Sequence, residues 1–295
     1  RLEDAEAERV YYFGVSCDDE GRVTSIVLPN NHLQGTIPPE IELLDSLRVL
    51  NLSENKLHGT LPVEVSNLMY LEEALFAKND LTGTIPNFMN TYGFPLKKIS
   101  LAYNLFDGTL PDLSHLKKMT HLDFSYNKDL TGAIPASWGE LQELRGLFLS
   151  GNGLSGFLPQ RLGDLKNLRD LRLSGNGFEG TLPDSLENCL HLKNLYLDDN
   201  MFTGELHVLG SLPFLAGVFL ENNQFEGEIG ALVEYFDDIV ILDASNNKLR
   251  GPLPLELFQK DKLRVLDLNG NMLTGVLPAH FSVNDSLEYL ALQNN

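Results

Sequence analysis

The sequence predicts an α/β solenoid, and three observations predict it. The motif L-x-x-L-x-L-x-x-N-x-L-x-G-x-I-P recurs along nearly the whole chain at steps of 23 to 25 residues, as between Leu192 and Leu215 or between Leu71 and Leu96. The Asn of the motif is filled in every copy. Within each copy the L-x-x-L-x-L alternation has the period of a short strand, and the rest is long enough only for a turn and a return path. A unit of this size cannot bury its leucines alone, so successive units must stack and share one core around a parallel sheet.

In chain order, residues 1–22 read as an amino-terminal cap, 23–286 as eleven repeats and 287–295 as the start of a truncated twelfth. The first apolar positions are Val23, Leu47, Leu71, Leu96, Met119, Leu144, Leu168, Leu192, Leu215, Ile239, Leu263 and Leu287. The Asn positions are Asn31, Asn55, Asn79, Asn104, Asn127, Asn152, Asn176, Asn200, Asn223, Asn247, Asn271 and Asn295. An inward amide at that point satisfies backbone groups that the bend of the solenoid would otherwise bury unpaired, so this ladder is read as structural. The recurring glycine, for example Gly83 or Gly180, marks a turn that a side chain would hinder. A proline follows the next apolar residue except where His207 and Gly230 stand, and it fixes φ where no ladder N–H is needed.

The repeat also disposes of a nucleotide-site motif. Gly151, Gly153 and Gly156 in FLSGNGLSGFLP spell G-x-G-x-x-G after a strand-like run, the pattern of a dinucleotide-binding turn. Gly175, Gly177 and Gly180 spell it again one repeat later, while NLSENKLHGTLP and SLAYNLFDGTLP keep only the third glycine. The motif is a by-product of the repeat.

Composition excludes several classes. A formal net charge of −19 and a pI near 4.6 argue against nucleic acid and against anionic membrane surfaces. No apolar run is long enough to span a bilayer within these residues. The two cysteines, Cys17 and Cys189, make no disulfide framework and no zinc spacing, and about seven stacked strands at ~4.8 Å each separate them, beyond disulfide reach. The seven histidines fall at different repeat positions, with His121 beside Asp123 the nearest approach to an acid–base pair and no nucleophile completing a triad. No enzyme, cofactor or metal site is expected.

The L-x-G-x-I-P signature resembles the plant-type class of leucine-rich repeat, and the resemblance covers the chain from Val23 onward. It implies a right-handed, curved superhelix with a concave parallel sheet that binds partners, as in receptor-kinase and receptor-like protein ectodomains and in inhibitors of pectin-degrading enzymes. The start, YYFGVSCDDEGRVTSIVLPNN, resembles the family's cap C-x-W-x-G-V-x-C at Gly14, Val15 and Cys17. Val10 and Tyr12 replace the first cysteine and the tryptophan, so the usual cap disulfide is absent and an organelle lumen stands as the alternative to an extracellular or cell-surface location. The array is expected to continue beyond residue 295 into more repeats, a cap, a membrane anchor or a further domain such as a kinase.

Each strand leaves five outward positions on the concave face. Over the array these carry nine Lys or Arg and eleven Asp or Glu, a net of −2 out of −19, so the acidity lies elsewhere. Between the two motif leucines stand, in order, Val27, Asn51, Leu75, Ser100, Asp123, Phe148, Arg172, Tyr196, Phe219, Asp243, Asp267 and Ala291. With Tyr103 and Tyr126 from one neighbouring column and Arg145, Arg169 and Lys193 from another, repeats four to nine present aromatic rings interleaved with cations. This is the expected patch for a protein, peptide or glycan ligand. Repeats eight and nine depart from the motif in ELHVLGSLPFLAG and EIGALVEYFDD, either as a local change of the convex side or as a second contact surface. Thr36, Thr60, Thr84 and Thr109 form a hydroxyl row broken by Ala133 and Phe157, the basis of a remote ice-binding alternative. Sequons occur at Asn51 and Asn284. The expectation is a non-enzymatic binding module, foremost a recognition ectodomain of a receptor-like protein, with a soluble inhibitor of a glycan-degrading enzyme or a scaffold subunit as alternatives.

Overall fold

In the computed structural model, residues 13–88, 94–230, 236–277 and 285–295 are described. Each repeat after the first contributes a three-residue strand centred on the second leucine of its L-x-x-L-x-L run, from Val49–Asn51 through Asn194–Tyr196 to Tyr289–Ala291. These join the cap strand Val15–Cys17 and the first repeat's five-residue strand Val23–Val27 in one 13-stranded sheet. Its first pair is antiparallel and the rest are parallel and in register, so equivalent residues of successive repeats stand side by side. The motif leucines point inward from this sheet: Leu144, Leu147 and Leu149 are wholly buried, as are their equivalents in most repeats. Trp138 and the phenylalanines Phe124, Phe178, Phe202 and Phe225 fill the same core.

The L-x-G segment forms a second, 11-stranded sheet, also built from one short strand per repeat. All eleven recurring glycines have φ between 76° and 99°, the left-handed region that a Cβ disfavours. Space is as restrictive as φ: a Cβ on Gly83 would stand 2.9 Å from the methyl carbon of Thr60 in the preceding repeat. The threonine row is therefore explained by packing, each methyl covering the next glycine.

Seven five-residue 3₁₀ helices lie on the return path among the described residues. The motif proline precedes six of them in extended conformation, as Pro183 does with φ −68° and ψ 134°. Repeat eight shows what its loss does. Leu206, at φ −99° and ψ 12°, precedes a 3₁₀ helix that starts at His207, on the proline's own position. Starting one residue early absorbs the shortened step, so the departure there is a local change of the convex side; the segment 231–235 of repeat nine lies outside the described residues.

The Asn ladder holds the stack together from Asn55 to Asn295. Asn79 is typical: its Nδ2 donates to Phe76 O in its own repeat and to Leu52 O in the preceding one, and its Oδ1 accepts from Leu57 N of the preceding repeat. Asn31, the first rung, has no earlier repeat to bond and is exposed. At Asn127 one extra residue before Leu130 shifts the pattern, and Asn152 Oδ1 accepts from Asn127 N instead of from a leucine.

Both cysteines are free, Cys17 exposed and Cys189 buried. Burial pushes the Cys189 thiol up to about 12, as fits a small core residue at the end of a 3₁₀ helix.

Candidate functional site

The in-register parallel sheet turns the position between the leucines into one continuous column. Asp123 pairs with Phe148, Phe148 with Arg172, Arg172 with Tyr196, Tyr196 with Phe219, and Phe219 with Asp243. Strands at ~4.8 Å bring such side chains face to face. Tyr196 and Phe219 stack with ring centroids 4.4 Å apart and an 8° interplanar angle. The Arg172 guanidinium lies between two rings, 4.6 Å from the centroid of Tyr196 and 5.3 Å from that of Phe148. This pile of ring, cation, ring and ring lies along the solenoid axis and holds the charge of Arg172 in cation–π contacts, without an ion pair among the described residues.

The expected patch resolves into three parts. Interleaving of rings and cations is confined to Arg172. Arg145, Arg169 and Lys193 form a separate exposed row at the first outward strand position, joined through backbone bonds from Arg169 N to Arg145 O and from Lys193 N to Arg169 O. Tyr103 and Tyr126 form a second stack at the opposite flank of the same face, with centroids 4.3 Å apart at 16°. They occupy the position before the ladder Asn, which has positive φ in every repeat; theirs are 55° and 58°. Gly151 and Gly175 fill it in the next two repeats at 69° and 64°. This is why G-x-G-x-x-G arises here, and Gly151 also makes room for the Tyr126 ring, whose Cδ1 would stand 2.6 Å from a Cβ at that point.

Two features of the site were missed from the sequence. Gly146 and Gly217, each two residues before a phenylalanine, let Phe148 and Phe219 lean over the sheet: a Cβ on Gly146 would stand 2.6 Å from Phe148 Cε2. The signal was present as G-x-F in two strands. The second is a carboxylate group beside the stack. Burial pushes Asp198 and Asp243 above the usual carboxylate range and Glu221 to about 7, with the neighbouring carboxylates adding to each. Glu221 Oε2 is buried without a hydrogen-bond partner.

His121 and Asp123 do not make an acid–base pair. The His121 ring lies 2.9 Å from Thr120 Oγ1, and burial followed by Lys98 and Arg145 lowers its pKa. Asp123 accepts from Ser125 N and Ser100 Oγ, and burial raises its pKa. Among the described residues no three His, Cys, Asp or Glu side chains gather as a metal site, and no helix is long and apolar enough to cross a membrane. Asn51 lies on the concave strand Val49–Asn51, half-buried, with Oδ1 accepting from Ser53 N; Asn284 lies outside the described residues.

A family model described as Leucine Rich Repeat matches residues 46–68, 143–165, 167–189 and 262–284. Among solved structures, the chain is similar to the plant peptide hormone receptor RGFR1 in complex with RGF2, at 30% identity over 97% of this chain and 49% of that one, with a TM-score of 0.90. It is also similar to the ectodomain of the Arabidopsis receptor kinase HAESA in complex with an IDA peptide hormone ligand, at 30% identity over 95% and 52%, with a TM-score of 0.84. A plant ice-binding protein matches at 26% identity over 95% and 85%, with a TM-score of 0.71. The chain thus spans about half the length of the receptor ectodomains it matches. Curated proteins give no match.

Proposed function

Because the chain belongs to the leucine-rich repeat proteins, we propose that its concave sheet is the working surface of a non-enzymatic recognition module, the ligand-binding part of a receptor-like protein outside the cell or at its surface. The observation that carries this reading is the ordered stack of Phe148, Arg172, Tyr196 and Phe219 on a face where solubility alone would favour dispersed polar side chains. Rigid rings held by their neighbours lose little freedom when a partner docks, so they bind at low entropic cost. The two receptors of similar structure are described in complex with peptide hormones, which makes a peptide the first class of ligand to try.

The test uses peptides selected on the wild-type chain from a random displayed heptapeptide library. Phe148→Ala combined with Tyr196→Ala is expected to weaken their binding at least about tenfold with an unchanged circular dichroism spectrum. Unchanged affinity would remove the stack from the binding surface.

A further inference from the structure

We propose that the row formed by Arg145, Arg169 and Lys193 is an anion-reading flank of the concave surface, and that its occupant is an extended acidic peptide segment with two carboxylates on one face. The inference rests on reading the concave sheet as a recognition surface.

The first outward strand position is treated in two ways along the array. In repeats two to four its charges are neutralised internally: Arg48 Nη1 lies 3.1 Å and Lys97 Nζ 2.6 Å from Glu72, while Lys98 Nζ on the adjoining position lies 2.8 Å from Glu73. In repeats six to eight it holds three cations on successive strands, and none of them has an ion-pair partner among the described residues. The acid nearest in register, Asp170, accepts instead from Asn194 Nδ2. Like charges side by side on neighbouring strands repel, so this row is an unfavourable arrangement in the free protein that an anion would relieve. A chain of net charge −19 has no need of cations here for solubility.

The surface beside the row suits the same occupant. Both faces of Tyr196 are taken, by Arg172 and Phe219, as is one face each of Phe148 and Phe219, so within the pile the rings offer their edges to a ligand. Ring edges carry the positive end of the aromatic quadrupole and favour carboxylate oxygens. Three strands at ~4.8 Å place the outer cations about 10 Å apart, and alternate side chains of an extended peptide recur at about 6.8 Å, so carboxylates at i and i+2 fall within reach of all three flexible side chains. Asp198 and Glu221 across the stack, with Asp243 at its end, disfavour a second acidic strip and so orient the ligand. The overall negative charge disfavours nucleic acid.

The experiment selects displayed random heptapeptides on the wild-type chain, then measures one synthetic selected peptide by titration calorimetry against three variants. Selected sequences are expected to be enriched in Asp or Glu at i and i+2. Arg145→Gln with Arg169→Gln and Lys193→Gln is expected to weaken binding at least about tenfold, and raising NaCl from about 50 to about 300 mM to weaken the wild-type complex. The charge-conserving set Arg145→Lys, Arg169→Lys and Lys193→Arg is expected to retain binding. Selection of neutral or basic peptides, or equal binding by the Gln variant, overturns the proposal. If Phe148→Ala with Tyr196→Ala abolishes binding while the Gln variant does not, this flank is refuted and the concave reading stands; if neither matters, the concave reading itself fails. An oligouronide that needs the three cations, with no enrichment of acidic peptides, overturns the assignment to peptide. A thermal midpoint lowered by the Gln set assigns the row a structural role and also overturns it.

Discussion

Asn127→Ala tests whether the ladder is what ties each repeat to the one before it. Asn127 is fully buried; its Oδ1 accepts from Phe106 N at 3.1 Å, and its Nδ2 donates to Leu101 O at 3.1 Å and Phe124 O at 3.0 Å. After truncation the two carbonyls keep other donors, Asn104 Nδ2 on Leu101 O and Asn152 Nδ2 on Phe124 O. The Phe106 N–H keeps none, and Phe106 is wholly buried. An orphaned buried N–H costs about 1–3 kcal/mol, and the space left by the amide adds to it, so the expected loss is about 2–4 kcal/mol. Asn127→Asp keeps an acceptor for Phe106 but sets a carboxylate against carbonyl oxygens, and is expected to lose more than the alanine at neutral pH and to recover as pH falls. Asn31→Ala is the internal control: exposed and without a preceding repeat to bond, it should stay within about 0.5 kcal/mol of wild type. Urea unfolding followed by far-ultraviolet circular dichroism reads all three, and the single tryptophan, Trp138, gives a second probe. An Asn127→Ala loss no larger than that of Asn31→Ala would refute the argument.

Three further outcomes follow from the same geometry. Glu221 has its folded pKa raised to about 7 from 4.5, chiefly by burial, so the folded state binds its proton more tightly than the unfolded chain does. Its contribution is complete below about 4.5 and is lost as pH rises through about 7; the stability of Glu221→Gln relative to wild type should therefore grow between pH 5 and 8, and a difference flat with pH would exclude the raised pKa. In the native protein a thiol reagent should titrate Cys17 and leave Cys189 unreacted until denaturant is added; two fast thiols would contradict the burial of Cys189. Expressed through a eukaryotic secretory pathway, the chain should carry a glycan on Asn51, about 19 Å of sheet, four strand spacings, from Phe148, and removing it should leave binding at the stack unchanged; peptide mapping that finds Asn51 unmodified would count against the secretory assignment.

The backbone of this protein was legible because its instructions are repeated. Once Asn and Leu recur at fixed spacing, an in-register parallel sheet is the arrangement that pairs every rung, and the side-by-side order from Asp123 to Asp243 follows from counting alone. Where a repeat departs from the motif, counting flags the place without giving the consequence. His207 marked repeat eight, but that its 3₁₀ helix would begin on the proline's position depended on the backbone freedom gained when the ring is lost. The site was harder for a different reason. Arg172 lies between Phe148 and Tyr196 while Arg145 and Arg169, of the same residue type but two columns away, stack on no ring. Gly146 and Gly217 sit at positions the motif leaves open, so nothing in the period singles them out, yet they allow the rings to lie down on the sheet. The same physics makes the two halves of the problem unequal. Positions that every repeat must satisfy are shared and can be read, whereas positions that only a ligand constrains are free to differ, and specificity can reside only there. Arg145, Arg169 and Lys193, without ion pairs among the described residues at a strand position where Arg48, Lys97 and Arg264 are paired with glutamates, are such a difference, and the peptide selection described above asks what it answers to.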